Sequence, residues 1–527
     1  MRSGLASSSA TVTFETAVSN LFPDTHAPNV LEELLLSGGD DRTYLDPATG
    51  RNSYHVGPFV LPDALVRSSC TCNPLTPLAS QVAQRWQRQV LEAEQSEFSA
   101  IMEVDVRGAI ARHLQLPDGC GVITAPSGTD IELIPVMMAK SFYPQAERVR
   151  VMVAAMNEIG KGVALAAGGR HSSKAAPLAD ESILAGRSFH QLSNTEDVSS
   201  TIRCTELDAR DSEGRYIDHS ETIAKEMAEA RAVGEPTVVH TVYGTKTNKR
   251  EPFPEGTGCD EAKASTIVVV DACQGRYSRA EISALLDRGA VITITGSKAW
   301  SGPPFSGAVL LPPALMSRLR NVPEADLWIP DMLAHYFTQD DFPTSLPACR
   351  ARLPRLQNRG LALRWLAAIG EFEAYLAAGG DSDDARAIVA QWSAEVSARI
   401  ERDHPQISVF EVNDSIINIT VASSEGAPMA VSALRKVYAL LTEDVSAALS
   451  AAGVSLSAEQ EDIAQRTCLI GQPVKICDEF GIIRLALGCP DIRMLMQDRN
   501  VALAVNTDEQ ILRKISLISK YAAELEV

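Results

Sequence analysis

Between about residues 105 and 312 the chain runs through six short apolar segments, 121–124, 149–155, 237–242, 266–270, 291–295 and 308–311. Several are β-branched almost throughout, as in Thr266-Ile267-Val268-Val269-Val270 and Val291-Ile292-Thr293-Ile294-Thr295. A strand with one wet face alternates apolar and polar residues, whereas a strand covered on both faces does not. These unbroken runs predict a mostly parallel central sheet with helices on both sides, and 131–142 and 220–232 read as two of the helices. This is the pattern of an α/β domain.

The flanks read differently. Residues 1–75 are rich in Pro, Gly, Ser and Asp and carry only short apolar pieces, so an irregular N-terminal arm is expected. Helix begins in 75–96, where Leu78, Val82, Trp86, Val90 and Leu91 recur at helical spacing. From about 361 to 402 a long helix-forming region is broken at Gly379-Gly380. Strand candidates 407–412, 416–421 and 482–487 then alternate with helix candidates 431–451 and 508–525. The expected organisation is an arm (1–75), a large domain (76–335), and a helical connection with a smaller α+β C-terminal domain (336–527).

Charge narrows the partners. The chain has 48 Lys and Arg against 67 Asp and Glu, a net charge of −19. Tracking a phosphate backbone needs clustered positive charge, so no nucleic acid and no membrane surface is expected as a partner. A small phosphorylated ligand stays open, because backbone N–H groups at one helix start can hold a phosphate locally. The ten cysteines form no C-x-x-C pair and the nine histidines no H-E-x-x-H, so reduced thiols and no metal are expected. No apolar run reaches membrane-spanning length, and MRSGLASSSATVTFETAV lacks an apolar core after its arginine. A cytoplasmic location is the expectation.

Three segments carry candidate chemistry, because ligands of such sheets bind beyond the carboxyl ends of the strands. In Thr124-Ala-Pro-Ser127-Gly128-Thr129-Asp-Ile-Glu132 a strand ends, a tight turn follows and a helix begins. The turn is either a phosphate cradle or a capped helix start with Glu132 completing a capping box. In Val270-Asp271-Ala272-Cys273-Gln274 a carboxylate follows a buried strand. It either caps the next helix or meets a cation there. In Thr295-Gly296-Ser297-Lys298, followed by Gly302-Pro303, a lysine ends a buried strand. Desolvation favours the free amine that imine formation requires, although a lysine beside a loop can also snorkel to water.

Taken together and in this order, the three segments resemble the fold type I pyridoxal-5′-phosphate (PLP) enzymes, within them the class V aminotransferase and cysteine desulfurase branch. The matching elements are Ser127-Gly128-Thr129, Val270-Asp271-Ala272-Cys273-Gln274 and Thr295-Gly296-Ser297-Lys298 with Gly302-Pro303. The resemblance covers roughly residues 100–315. It implies PLP as cofactor, with Lys298 as the Schiff-base lysine that also moves protons, and Asp271 paired with the pyridinium nitrogen. It further implies Gln274 on the ring O3′, and Ser127, Gly128, Thr129, Thr295 and Ser297 on the phosphate. Arg484, in Gly481-Ile-Ile-Arg484-Leu-Ala-Leu-Gly488, looks like the arginine that takes the substrate α-carboxylate, or else it lies exposed on an edge strand. A homodimer is implied as well.

The pattern departs from that branch where a ring-stacking aromatic or histidine is usual. Here Ala155-Met156-Asn157-Glu158-Ile159-Gly160 places Asn157 or Glu158 against the cofactor, with Tyr243 or a partner subunit as other sources of a ring. No desulfurase-like cysteine motif is present, Cys468 standing in a different context in what reads as a loop. The loop Gly168-Gly-Arg-His-Ser-Ser173 is either a surface turn or a contact for a second anion. The resemblance implies an enzyme, a transferase or lyase, acting on an α-amino-acid-like small molecule through an external aldimine, by transamination or β/γ-elimination. The alternative is carbon–carbon bond formation from a quinonoid or vinylglycine-type intermediate, derived for instance from S-adenosylmethionine.

Overall fold

The computed structural model describes residues 30–59, 63–179, 201–255, 265–423 and 426–527. The first 29 residues of the expected arm, and Cys259, lie outside them. Twelve strands are described: β1 (Leu65–Arg67), β2 (Gly121–Ala125), β3 (Val149–Met156), β4 (Ile202–Asp208), β5 (Thr237–Val242), β6 (Thr266–Asp271), β7 (Val291–Thr295), β8 (Gly307–Leu311), β9 (Ile407–Asn413), β10 (Ile416–Val421), β11 (Cys468–Lys475) and β12 (Gly481–Ala486).

Seven of them form one sheet in the order β2-β8-β7-β6-β5-β3-β4. β8 runs antiparallel to both neighbours, and the other pairings are parallel. Successive residues of a strand point to opposite faces, and here both faces are dry. Ile267 and Val269 pack with the helix Leu133–Phe142 on one side. Val268 and Val270 pack with the helices Pro77–Glu92 and Arg359–Ala377 on the other. The α/β class with a mostly parallel sheet is therefore present, and double-sided burial is its cause.

The second sheet has the order β1-β11-β12-β10-β9, antiparallel except for β1 beside β11. It packs against the helices Asp383–Asp403 and Ala502–Lys520. Gly379-Gly380 do break the long helical region, and Gly379 has φ +78°, which suits a residue without a Cβ. The N-terminal segment is less irregular than its composition predicts. Its helix Val30–Leu36 packs against the helices Pro77–Glu92 and Arg359–Ala377, while its strand β1 belongs to the C-terminal sheet. Cys468 opens a buried strand rather than lying in a loop. Among the described residues no helix is long and apolar enough to cross a membrane.

Candidate active site

The carboxyl ends of β2, β3, β5, β6 and β7 meet at one edge of the large sheet, and a cavity of about 550 Å3 opens there. Ligand pockets typically span about 300–1,000 Å3, so a cofactor-sized molecule fits. Ser127, Gly128, Thr129, Glu158, Asp271, Gln274, Thr295, Ser297, Lys298 and Arg484 all line it. Three loops bring them together through close packing. A Cβ at Gly128 would lie 2.8 Å from Thr295 Cγ2 and 3.3 Å from Cys273 Sγ, so only glycine lets the β2 turn rest on the ends of β6 and β7.

Lys298 follows β7 by three residues and its carbonyl is held by Asn73 Nδ2 at 3.2 Å. Among the described residues its ammonium forms no hydrogen bond or ion pair. Asp271 ends β6; its Oδ1 accepts the Cys273 N–H at 2.9 Å, and among the described residues no N–H donates to the other oxygen. The hydroxyls of Thr129 and Ser297 likewise have no hydrogen bond among the described residues. An unpaired lysine, a half-used carboxylate and two unspent hydroxyls thus share one cavity.

Other expected contacts are committed elsewhere. Ser127 Oγ caps its own turn, accepting the N–H groups of Thr129 and Asp130 at 3.2 Å and donating to Asp130 Oδ2 at 2.8 Å. Thr295 Oγ1 donates to the Cys273 carbonyl at 3.1 Å. Gln274 Nε2 donates to the Cys70 carbonyl at 3.3 Å. Glu132 closes no capping box; it lies buried against His240 Nδ1 at 2.8 Å.

Within the ring-facing segment the structure separates the two neighbouring residues. Asn157 is exposed, has φ +70°, and donates to Asp208 Oδ1 at 3.0 Å, facing a neighbouring pocket rather than this cavity. Glu158 lines the cavity. Its carboxylate accepts from Arg210 Nε, Thr245 Oγ1 and, at 2.6 Å, Thr247 Oγ1. Tyr243 lies under Arg250, 4.2 Å from guanidinium to ring centre, and does not line the cavity either. Arg484 is buried in the middle of the C-terminal sheet, not on an edge. Of the glycine-rich loop, Ser172 and Ser173 reach the wall while Arg170 is exposed.

The rings on the cavity come from elsewhere: Tyr54 of the N-terminal segment, and Phe305. Arg42 of the same segment sits over Phe305, 4.9 Å from guanidinium to ring centre, and is locked to buried Asp40 at 2.9 Å. Cys70, Thr71 and Cys72 add a further stretch of wall, as does Lys246 after β5. Sequence reasoning named none of these as site residues. Only the Gly302-Pro303-Pro304 turn before Phe305 gave a local signal.

Asp130, beneath the Ser127 turn, has a testable titration. Burial first, then the charge of Asp40, push its carboxyl from the ordinary 3.8 up to about 7, against the pull of Arg42. A carboxyl raised on folding contributes stability in full below 3.8 and loses it as pH rises toward about 7. Asp130→Asn, which keeps an acceptor for Ser127 Oγ, is expected to be spared that loss. Urea midpoints of both proteins at each end of the window measure it; parallel curves would mean that Asp130 is already ionised at the acid end.

No protein-family model matches the chain, and no curated protein does. Solved structures similar to it include mouse CSAD, at 15% identity over 96% of this chain and 91% of that one, TM-score 0.49. The 4-hydroxyphenylacetaldehyde synthase of Rhodiola rosea is 12% identical over 94% and 91%, TM-score 0.49. The TDC of Oryza sativa, crystallised with PLP and tryptamine, is 12% identical over 86% and 83%, TM-score 0.45.

Proposed function

We propose that this chain is a PLP-dependent enzyme of fold type I that acts on an α-amino acid, by transamination or β/γ-elimination. One observation carries the reading: Lys298, Asp271, Thr129 and Ser297 present unspent polar groups to a single cavity at the carboxyl ends of β6, β7 and β2. The donor set suits the group. A phosphate needs hydroxyls and close backbone approach, which Thr129, Ser297 and Gly128 offer, and a protonated ring nitrogen needs a carboxylate such as Asp271.

When bound, PLP supplies an electron sink for charge developing at the substrate α carbon. The residues divide the rest. Lys298 would hold the cofactor through its amine and would move a proton at that carbon. Asp271 would accept a hydrogen bond from the ring nitrogen and so favour its protonated form. Ser127 and Thr295 hold the shape of the cradle that Thr129 and Ser297 complete. Gln274 closes the wall beside Cys70.

Purified protein supplied with PLP is expected to show a visible absorption band that borohydride removes, with the reduced adduct mapped by mass spectrometry to the peptide carrying Lys298. A colourless protein, or an adduct on another lysine, would overturn the reading. Single amino acids then separate the reactions. A keto acid released with loss of the band, restored by adding a second keto acid, marks transamination. A keto acid released together with ammonia marks elimination.

A further inference from the structure

The cations on the cavity differ in what they have left to give. Arg484 spends all five of its N–H donors on neutral acceptors. Its Nε and one terminal nitrogen donate to the Gln472 carbonyl at 3.1 and 2.9 Å. The same terminal nitrogen reaches Thr71 Oγ1 at 3.0 Å, and the other reaches the carbonyls of Cys70 at 3.4 Å and Lys246 at 3.0 Å. This guanidinium is a buried charge without a free fork. Among the described residues no carboxylate pairs with it.

Lys246 is the opposite case. Its loop is clamped on two sides: Arg484 holds the Lys246 carbonyl, and the Lys246 N–H donates to the Glu158 carbonyl at 2.7 Å. Thr245 and Thr247, its two neighbours, both donate to the Glu158 carboxylate. The side chain between them lines the cavity, and its ammonium gives one hydrogen bond, to the Asn157 carbonyl at 3.2 Å. Two donors remain. No ion pair forms at Lys246 among the described residues. Burial, then the charges of Arg484 and Lys298, bring its pKa from 10.5 down to about 7.

We propose that Lys246 takes the carboxylate of the substrate, and that Arg484 is a positioning residue that fixes the Lys246 loop and adds a second positive charge behind it. This rests on the reading of the cavity as an amino-acid site and deepens it. A carboxylate at Lys246 meets two free N–H donors and relieves the mutual repulsion of Lys246, Arg484 and Lys298. A simple amine brings no such anion. The favoured substrates therefore carry a carboxylate close to the reacting amine.

Propionate serves as the probe, because it reports the anion site without requiring turnover. On the PLP-loaded full chain, trace acylation with acetic anhydride at neutral pH is mapped by mass spectrometry. Saturating propionate is expected to slow acylation of Lys246 about tenfold or more, an effect of the size of one hydrogen bond to a charged group, while leaving the exposed Lys225 unchanged. By calorimetry, Lys246→Gln should weaken propionate binding roughly ten- to a hundredfold with the visible band intact. Thr71→Val, which removes one acceptor of Arg484 and leaves Lys246 in place, should weaken it by a smaller factor. Unprotected Lys246, or full affinity in Lys246→Gln, overturns the assignment. A missing visible band in the parent protein would instead overturn the cofactor reading, since the acylation readout needs no turnover.

Discussion

Lys298→Ala is expected to lower turnover by about four orders of magnitude, the scale of losing a positioned proton-transfer group that is also the nucleophile. Folding should hardly notice. The Lys298 ammonium makes no hydrogen bond or ion pair among the described residues, and its backbone carbonyl keeps the Asn73 contact in the variant. Truncation of such a side chain falls within about 0.5 kcal/mol when both proteins are compared without cofactor. The two numbers pull in opposite directions only for a functional lysine. A structural lysine loses stability and activity together; a solvated one loses neither. Turnover is followed with the amino acid that gives the fastest reaction in the screen, and stability by urea unfolding. Retention of more than a tenth of the activity would remove Lys298 from the mechanism.

Most of the residues legible in the sequence share one property: they sit at or just past the end of a strand, Arg484 inside β12 being the exception. A buried run announces where it stops, and the polar residue after the stop is displayed by the change in composition. Thr124 to Thr129, Asp271 and Lys298 stand out in this way. The residues that went unread reach the cavity across long stretches of chain. Arg42 contacts the loop after β2, Thr71 and Cys70 hold Arg484 more than four hundred positions away, and Lys246 stands among other polar residues in a loop. Nothing local marks them, because their partners are chosen by tertiary packing. Asn157 shows the reverse error. It lies at the right place in the chain, but a backbone with positive φ at Ala155 and Asn157 turns its side chain into the neighbouring pocket.

The same distinction runs through the fold. Strands dry on both faces were visible as unbroken apolar runs, whereas β4 was not. It is an edge strand with exposed or half-buried positions at Arg203, Cys204, Thr205 and Glu206, so its composition resembles a loop. β11 carries no readable run because Gly471, Gln472 and Pro473 interrupt it, and the register beside β12 shifts there. The candidate helix over 431–451 divides into Val431–Leu440 and Ser446–Ala451. β1 is the hardest case. Three residues in a stretch of Pro, Ser and Asp carry too little pattern to read, and their partner strand begins some four hundred residues later.

What anchors that short strand leads to the largest stability effect expected in the chain. Arg67, the last residue of β1, is buried and donates to Asp508 Oδ1 at 2.8 Å and to Asp491 Oδ1 at 3.1 Å. It also reaches the carbonyls of Val66 and Ala504, and Trp392 Nε1 donates to the second oxygen of Asp508 at 2.7 Å. Asp508 is thus the hub of a dry network that ties the N-terminal strand to the helices Asp383–Asp403 and Ala502–Lys520. Removing it leaves the Arg67 Nε–H and the Trp392 indole N–H without their acceptor in a buried place, while Asp491 and two carbonyls still hold the rest of the guanidinium. Breaking one partner of a buried pair costs about 3–5 kcal/mol when the charge left behind is uncompensated, and because Asp491 still pairs with Arg67 the cost here should lie near the lower end of that range. Asp508→Ala should therefore shift the urea midpoint far more than Glu92→Ala, which removes the exposed Arg88–Glu92 pair and should cost at most about 0.5 kcal/mol. Asp508→Asn separates the terms, since the amide oxygen still accepts from Trp392 while the charge is gone; its loss should fall between the other two. If Asp508→Ala and Glu92→Ala cost the same, Arg67 is reached by water and β1 is not anchored through it.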